Sequence, residues 1–255
     1  MSKSLLALAA AATTLLCAPA HALGTGDVAF TAFNADEDGL SFVSFVDIAA
    51  GTTIYFSDNE WTGSAFNTGE SYNQWVSGGS TIAAGTVVRL SAYDKTTLSA
   101  SVGTLSRVSV SGSTNWGISN SGETVYAYLG SSATAPTTFL AAITNGTFAA
   151  DGSLAGTGLS EGLNAIRLTA KSGASSEPDF AQYSGSRGPF TVAQAKAAVA
   201  DLGNWTIDTV SNSSSASVVP NSAAFTISPV PEPGSYALLL CGLGLVGAAA
   251  RRRRG

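Results

Sequence analysis

Between residues 23 and 229 the chain is a succession of short β-branched and aromatic runs, each broken within a few positions by Gly, Ser, Asn or Asp. Such punctuation leaves little room for long helices and calls for strands joined by tight turns. The runs Val28–Phe33, Leu40–Ile48 and Thr53–Ser57 follow closely, with turn signals at 34–39 and 49–51. Further runs are Thr86–Ser91, Leu105–Val110, Thr124–Leu129, Thr138–Ile143, Ala165–Thr169, Phe180–Ser184 and Ala223–Ile227. The expected fold class is therefore all-β, a β-sandwich. In Leu40–Ile48, alternation puts Leu40, Phe42, Val46 and Ile48 on one face, while Val43 and Phe45 make the other face apolar. That pattern predicts a central strand covered on both sides.

One segment departs from the strand pattern. Thr191 with Gln194 three residues on has the form of a capping box, and Val192, Val199 and Leu202 then recur at helical spacing. A short helix at the sandwich edge is expected, stopped near Gly203. Residues 211–222 read as a polar loop, and the stretch around Trp61, Tyr72 and Trp75 is open to two readings, a sugar contact or a long surface loop whose aromatics pack back on the sandwich.

Composition narrows the chemistry. The only histidine is His21 and the only cysteines are Cys17 and Cys241, all within the hydrophobic ends. The middle, residues 23–229, thus has no means for Ser-His-Asp or Cys-His catalysis, a His/Cys zinc site, an iron–sulfur cluster or a structural disulfide. It holds seven basic and sixteen acidic residues, a balance that argues against nucleic acid as a partner.

The two ends read as address labels. Lys3 precedes an apolar run from Leu5 to Leu16, and Ala20 and Ala22 put small residues at −3 and −1, so residues 1–22 read as a signal peptide cut after Ala22. Export by the Sec translocon and trimming by signal peptidase follow. Leu16 stands where lipidation at Cys17 would want a small residue, which argues against a lipoprotein. At the other end, residues 230–255 contain Pro231-Glu232-Pro233, an apolar stretch to Ala250, and Arg251, Arg252, Arg253 and Arg254. As a helix, the 16 residues from Ser235 to Ala250 would run about 24 Å, a short transmembrane helix. The arginines fix its basic end in the cytoplasm and the domain outside.

This ordered trio resembles the PEP-CTERM sorting signal of Gram-negative bacteria. The resemblance implies an exosortase as partner, removal of the tail near Pro231-Glu232-Pro233, and a product that passes from an inner-membrane anchor to the cell surface or extracellular matrix. It also implies a host that makes exopolysaccharide, and O-linked sugar on some of the 61 Ser and Thr residues. The middle has its own likeness. Gly26–Phe30, Phe42-Val43, Val46–Ile48, Thr53–Trp61 and Asn204–Thr206 together resemble a lamin-tail-like β-sandwich of secreted bacterial proteins. In some of those a nuclease follows; that part has no counterpart here.

Three motifs carry candidate chemistry. Gly158-Leu159-Ser160-Glu161-Gly162 has the spelling of a nucleophile elbow, but without a histidine it reads as a glycine-rich loop. Asp58, Glu60 and Glu70 lie near Trp61, Tyr72 and Trp75, acids beside aromatic faces as sugar binding or a carboxylate glycosidase would use them. Asn34, Asp36 and Asp38 resemble the start of an EF-hand loop; Phe45 stands at the twelfth position, so only a weak calcium site is open there. The leading expectation is a non-enzymatic, exported surface or matrix protein needing no cofactor. The alternative is a glycan-binding module using Trp61, Tyr72 and Trp75, assisted by calcium.

Overall fold

The computed structural model describes residues 22–171, 173–174, 177–208, 215, 217–228 and 241–243. Among the described residues, twelve strands form two six-stranded sheets. The first runs, edge to edge, through β12 (Trp205–Ile207), β11 (Phe180–Tyr183), β1 (Val28–Asn34), β2 (Gly39–Ser44), β5 (Val87–Ser91) and β6 (Ser99–Ala100). The second runs through β10 (Ala165–Arg167), β9 (Ala135–Thr144), β8 (Thr124–Ser132), β3 (Thr53–Ser57), β4 (Tyr72–Val76) and β7 (Thr104–Arg107). Every pairing is antiparallel except β9 with β10.

The sheets pack face to face through aromatic residues that alternation turns inward. Phe30 and Phe42 from the first sheet meet Phe56 from the second at 6.2 and 5.6 Å, and Phe42 meets Trp75 edge-on at 5.3 Å. Such pairs add about 0.5–1.5 kcal/mol each beyond their buried area. A second, smaller cluster lies on the outer face of the second sheet. Tyr126, Tyr128 and Phe139 project there and are roofed by Trp61, Phe66, Phe148 and Leu159.

As expected, β2 is central and all of its residues are buried, but it stops at Ser44. Phe45 then donates its N–H to Asp27 and Ile48 pairs in isolation with Ile82. Ala223–Ile227 is not a strand: Ile227 forms a single bridge to Phe190. The helix α1 (Val192–Ala200) has both halves of the Thr191–Gln194 capping box and buries Ala195 and Val199. It ends three residues before Gly203, and a 3-10 turn, Leu202–Asn204, follows. The segment read as a surface loop contains β4, whose Trp75 is among the most deeply buried side chains. Among the described residues no helix is long and apolar enough to cross a membrane. The signal helix and nearly all of the expected transmembrane helix lie outside the described residues.

Candidate functional site

Strand register brings unusual chemistry to one end of the sandwich. Ser57 at the end of β3 pairs with Tyr72 at the start of β4 and with Tyr126 near the start of β8, while Asn73 pairs with Arg107 at the end of β7. The flanking residues Asp58, Glu70 and Glu123 are therefore carried to the same end. Alternation aims Asp58 inward after Ile54 and Phe56, Ser71 and Asn73 inward before Trp75, and Glu123 inward before Val125. From the first sheet, Tyr93 follows β5 and donates its backbone N–H to the Asp38 carbonyl at 3.0 Å.

The carboxylates are tied to backbone as well as buried. Asp58 is 2 % exposed and accepts from the Ser71 N–H at 2.7 Å and from the Ser71 hydroxyl at 3.0 Å. Glu123 accepts from the Ser119 N–H at 2.8 Å and its own neighbour's, Thr124, at 3.1 Å. Burial pushes the Asp58 carboxyl up to about 8, with the nearby Glu70 adding to the rise. Glu123 is pushed up to about 10, chiefly by burial and then by Asp58 and Glu70. Glu70 rises to about 7 through burial and the charge of Glu60. Loss of hydration disfavours the anion, and neighbouring anions disfavour it further. The guanidinium of Arg107 faces this end too: its charge interacts with Asp58, while its Nη2 donates to the carbonyls of Tyr93 and Lys95 and the group stacks 4.3 Å over Trp116.

The three aromatics assigned to sugar contact belong to the core. Trp75 is fully buried and its indole N–H donates to the Val102 carbonyl at 2.7 Å. Trp61 donates to the Ala155 carbonyl at 2.9 Å and packs edge-on against Phe66 and Phe139. Tyr72 is buried against Phe66. Their faces meet protein rather than solvent: Trp61, Tyr72 and Trp75 are all buried. The acids beside them divide as well: Asp58 points inward, whereas Glu60 is held by the Asn67 side chain at the tip of the 60–67 turn.

The calcium reading of Asn34, Asp36 and Asp38 meets a similar obstacle. The Asn34 amide donates to the Ser215 carbonyl at 3.0 Å, and its oxygen accepts from the Glu37 N–H. Asp36 accepts from the Ser215 N–H at 2.9 Å, and Asp38 accepts from the Ile118 N–H at 2.6 Å. The two carboxylates are thus drawn to different places, and this hairpin turn ties Ser215, Val218 and Ile118 to the sandwich. Among the described residues no group of three or more His, Cys, Asp or Glu is gathered to hold a metal ion. Ser160 is exposed in an irregular loop, its N–H bonded to the Asn164 side chain at 2.7 Å, with no strand-to-helix turn around it.

Of the residues expected in processing, Ala22 is exposed and directly precedes buried Leu23. Ala20, Pro231, Glu232, Pro233 and Arg251–Arg254 lie outside the described residues. The fold stays anchored almost to that point: Phe225 donates to the Gly85 carbonyl and Ser228 to the Phe190 carbonyl, both at 2.8 Å. Sequence reasoning missed Glu123, Tyr93, Asn73 and Arg107. For Glu123 a signal existed, since it shares the alternation parity of Val125 and Ala127 and so had to face the core.

Comparison with known proteins bears on the tail. Residues 229–254 match the PEP-CTERM protein-sorting motif, beginning one residue after the last anchored position. Neither the curated proteins nor the solved structures give a match to the chain. The C-terminal motif marks this chain as an exported protein that an exosortase sorts to the surface of a Gram-negative cell.

Proposed function

We propose that the protein is a non-enzymatic component of the bacterial surface or extracellular matrix, associated with exopolysaccharide or biofilm. In this reading residues 23–229 are a lamin-tail-like sandwich released or displayed after signal peptidase acts at Ala22 and exosortase acts near Pro231-Glu232-Pro233. The observation that carries it is the adjacency of fold and motif: backbone pairing continues to Ser228 and the sorting motif starts at residue 229. Cleavage in the tail would leave every strand intact.

The same arrangement supports a structural rather than a hydrolytic role. Asp58 and Glu123, the acids most shifted toward neutrality, are buried and committed to backbone N–H groups. A general acid must reach the proton acceptor of its substrate, within about 3 Å or through one water. The test is retention: a host lacking this chain should shed more matrix material under flow, and adding back the full chain should restore it. Equal retention with and without the chain would contradict the proposal.

A further inference from the structure

The chain leaves the sandwich beside the start of α1. Phe190 and Ile227 form a parallel bridge, in which Phe190 donates to the Thr226 carbonyl at 2.9 Å and Ser228 to the Phe190 carbonyl at 2.8 Å. Because the two segments run parallel, both continue the same way: residues 187–190 into Thr191 and α1, residues 225–228 into the sorting motif. Along α1 lies an open groove of about 440 Å³, walled by Ala193, Lys196, Ala197 and Ala200 from the helix and by Thr25 and Leu163 from other segments. Ala193 and Ala197 are exposed, and Leu163, at 70 %, is the most exposed large apolar side chain among the described residues. The apolar wall of the groove is therefore open to solvent.

We propose that this groove docks the chain's own segment Pro229-Val230-Pro231-Glu232-Pro233, the head of the sorting motif. Three prolines in five residues favour polyproline II, a form that forgoes internal hydrogen bonds and enters apolar grooves at small entropic cost. The reach matches. Pro231, three residues beyond Ser228, comes about 9 Å on at 3.1 Å per residue, and Ala197, six residues beyond Thr191, lies about 9 Å along the helix. Glu232 then comes level with the middle of the groove, where Lys196 supplies the opposite charge. The Lys196 ammonium has three N–H donors and gives one to Asp27 at 3.1 Å, so the others are available to a carboxylate. Asp201, the acid at the far end of the groove, is engaged with the Gly203 N–H at 2.8 Å. The docked segment brings the apolar stretch out at the C-terminal end of α1, so the sandwich itself sets how the motif is presented to the exosortase. Docking here is independent of any association with exopolysaccharide.

The experiment uses the full chain from a host without exosortase, solubilised in detergent, with Cys17→Ser and Cys241→Ser removing the native thiols. Val230→Cys, which keeps all three prolines and Glu232, is combined with Ala197→Cys in the groove. The control combines it with Thr97→Cys, exposed before β6 at the edge of the first sheet farthest from β11 and β12. Under mild oxidation, peptide mapping should show a link within one chain that forms about 10-fold faster with Ala197→Cys than with Thr97→Cys. Glu232→Lys lies beyond the last anchored position, leaves the sandwich sequence intact, and should slow that link by roughly 2–5-fold. Equal rates at positions 197 and 97, links formed solely between two chains, or a rate that Glu232→Lys leaves unchanged would overturn the proposal.

Discussion

Two indole N–H groups, Trp75 to Val102 and Trp61 to Ala155, show how single residues settle matters that composition leaves open. A tryptophan in a Ser- and Gly-rich stretch suits a sugar platform and a core anchor equally, and only the partner of its N–H decides. Asp58 makes a sharper case. Its carboxyl titrates near 8 in the folded chain and near 3.8 unfolded, so the folded state holds its proton longer. Stability from this group is therefore full below about pH 4 and is lost as pH rises through 8. The thermal midpoint should fall between pH 5 and pH 9, and Asp58→Asn should flatten the fall. A midpoint that climbs over that interval would mean the carboxyl is ionised and paired. Gly85 offers a test of packing: at φ +88° its Cβ would sit 2.0 Å from the Phe225 carbonyl oxygen. Gly85→Ala should destabilise by roughly 2–4 kcal/mol in chemical denaturation, since both the backbone region and the contact are forbidden; a loss under about 0.5 kcal/mol would show that the 223–228 segment is not seated there.

At the scale of elements, what the sequence announced was local. β1, β3, β5, β8, β9 and β11 begin within three residues of the runs that signalled them, because alternation and turn residues act over short distances. The α1 capping box was readable from Thr191 and Gln194 alone, and Thr191→Ala should cost about 1 kcal/mol in unfolding free energy, with Thr191→Ser costing little. β4 was hidden because Tyr72–Val76 interleaves Asn and Gln with aromatics, so its polar residues read as loop. Asn73 faces inward only because β3 and β7 flank the strand, which is tertiary information. The acidic end was hidden for the same reason: Asp58, Glu70, Tyr93 and Glu123 are far apart in the chain, and register alone brings them together. The single bridge at Ile227 in place of a strand belongs here too: the segment splits its backbone bonds, Phe225 donating to the Gly85 carbonyl and Thr226 to the Arg187 carbonyl.

At the scale of the molecule, two sheets closed over an aromatic core sit between the proposed signal-peptidase site before Leu23 and a sorting motif from residue 229. The chain thus divides its work: the ends address it, and the middle arrives folded. Removing residues 234–255 should leave the thermal midpoint of the middle unchanged while abolishing surface sorting, and a lowered midpoint would show that the tail packs on the sandwich. Replacing Arg251–Arg254 by Ser should weaken the cytoplasmic retention of the basic end, and so reduce processing without altering the fold. The most direct measurement is the intact mass of the protein from membrane and released fractions of its own host. The account predicts a released form that begins at Leu23, ends near Pro231-Glu232-Pro233 and lacks all four arginines, with any glycosylation adding sugar-sized steps. A protein found solely as a membrane form that retains Arg251–Arg254 would contradict it.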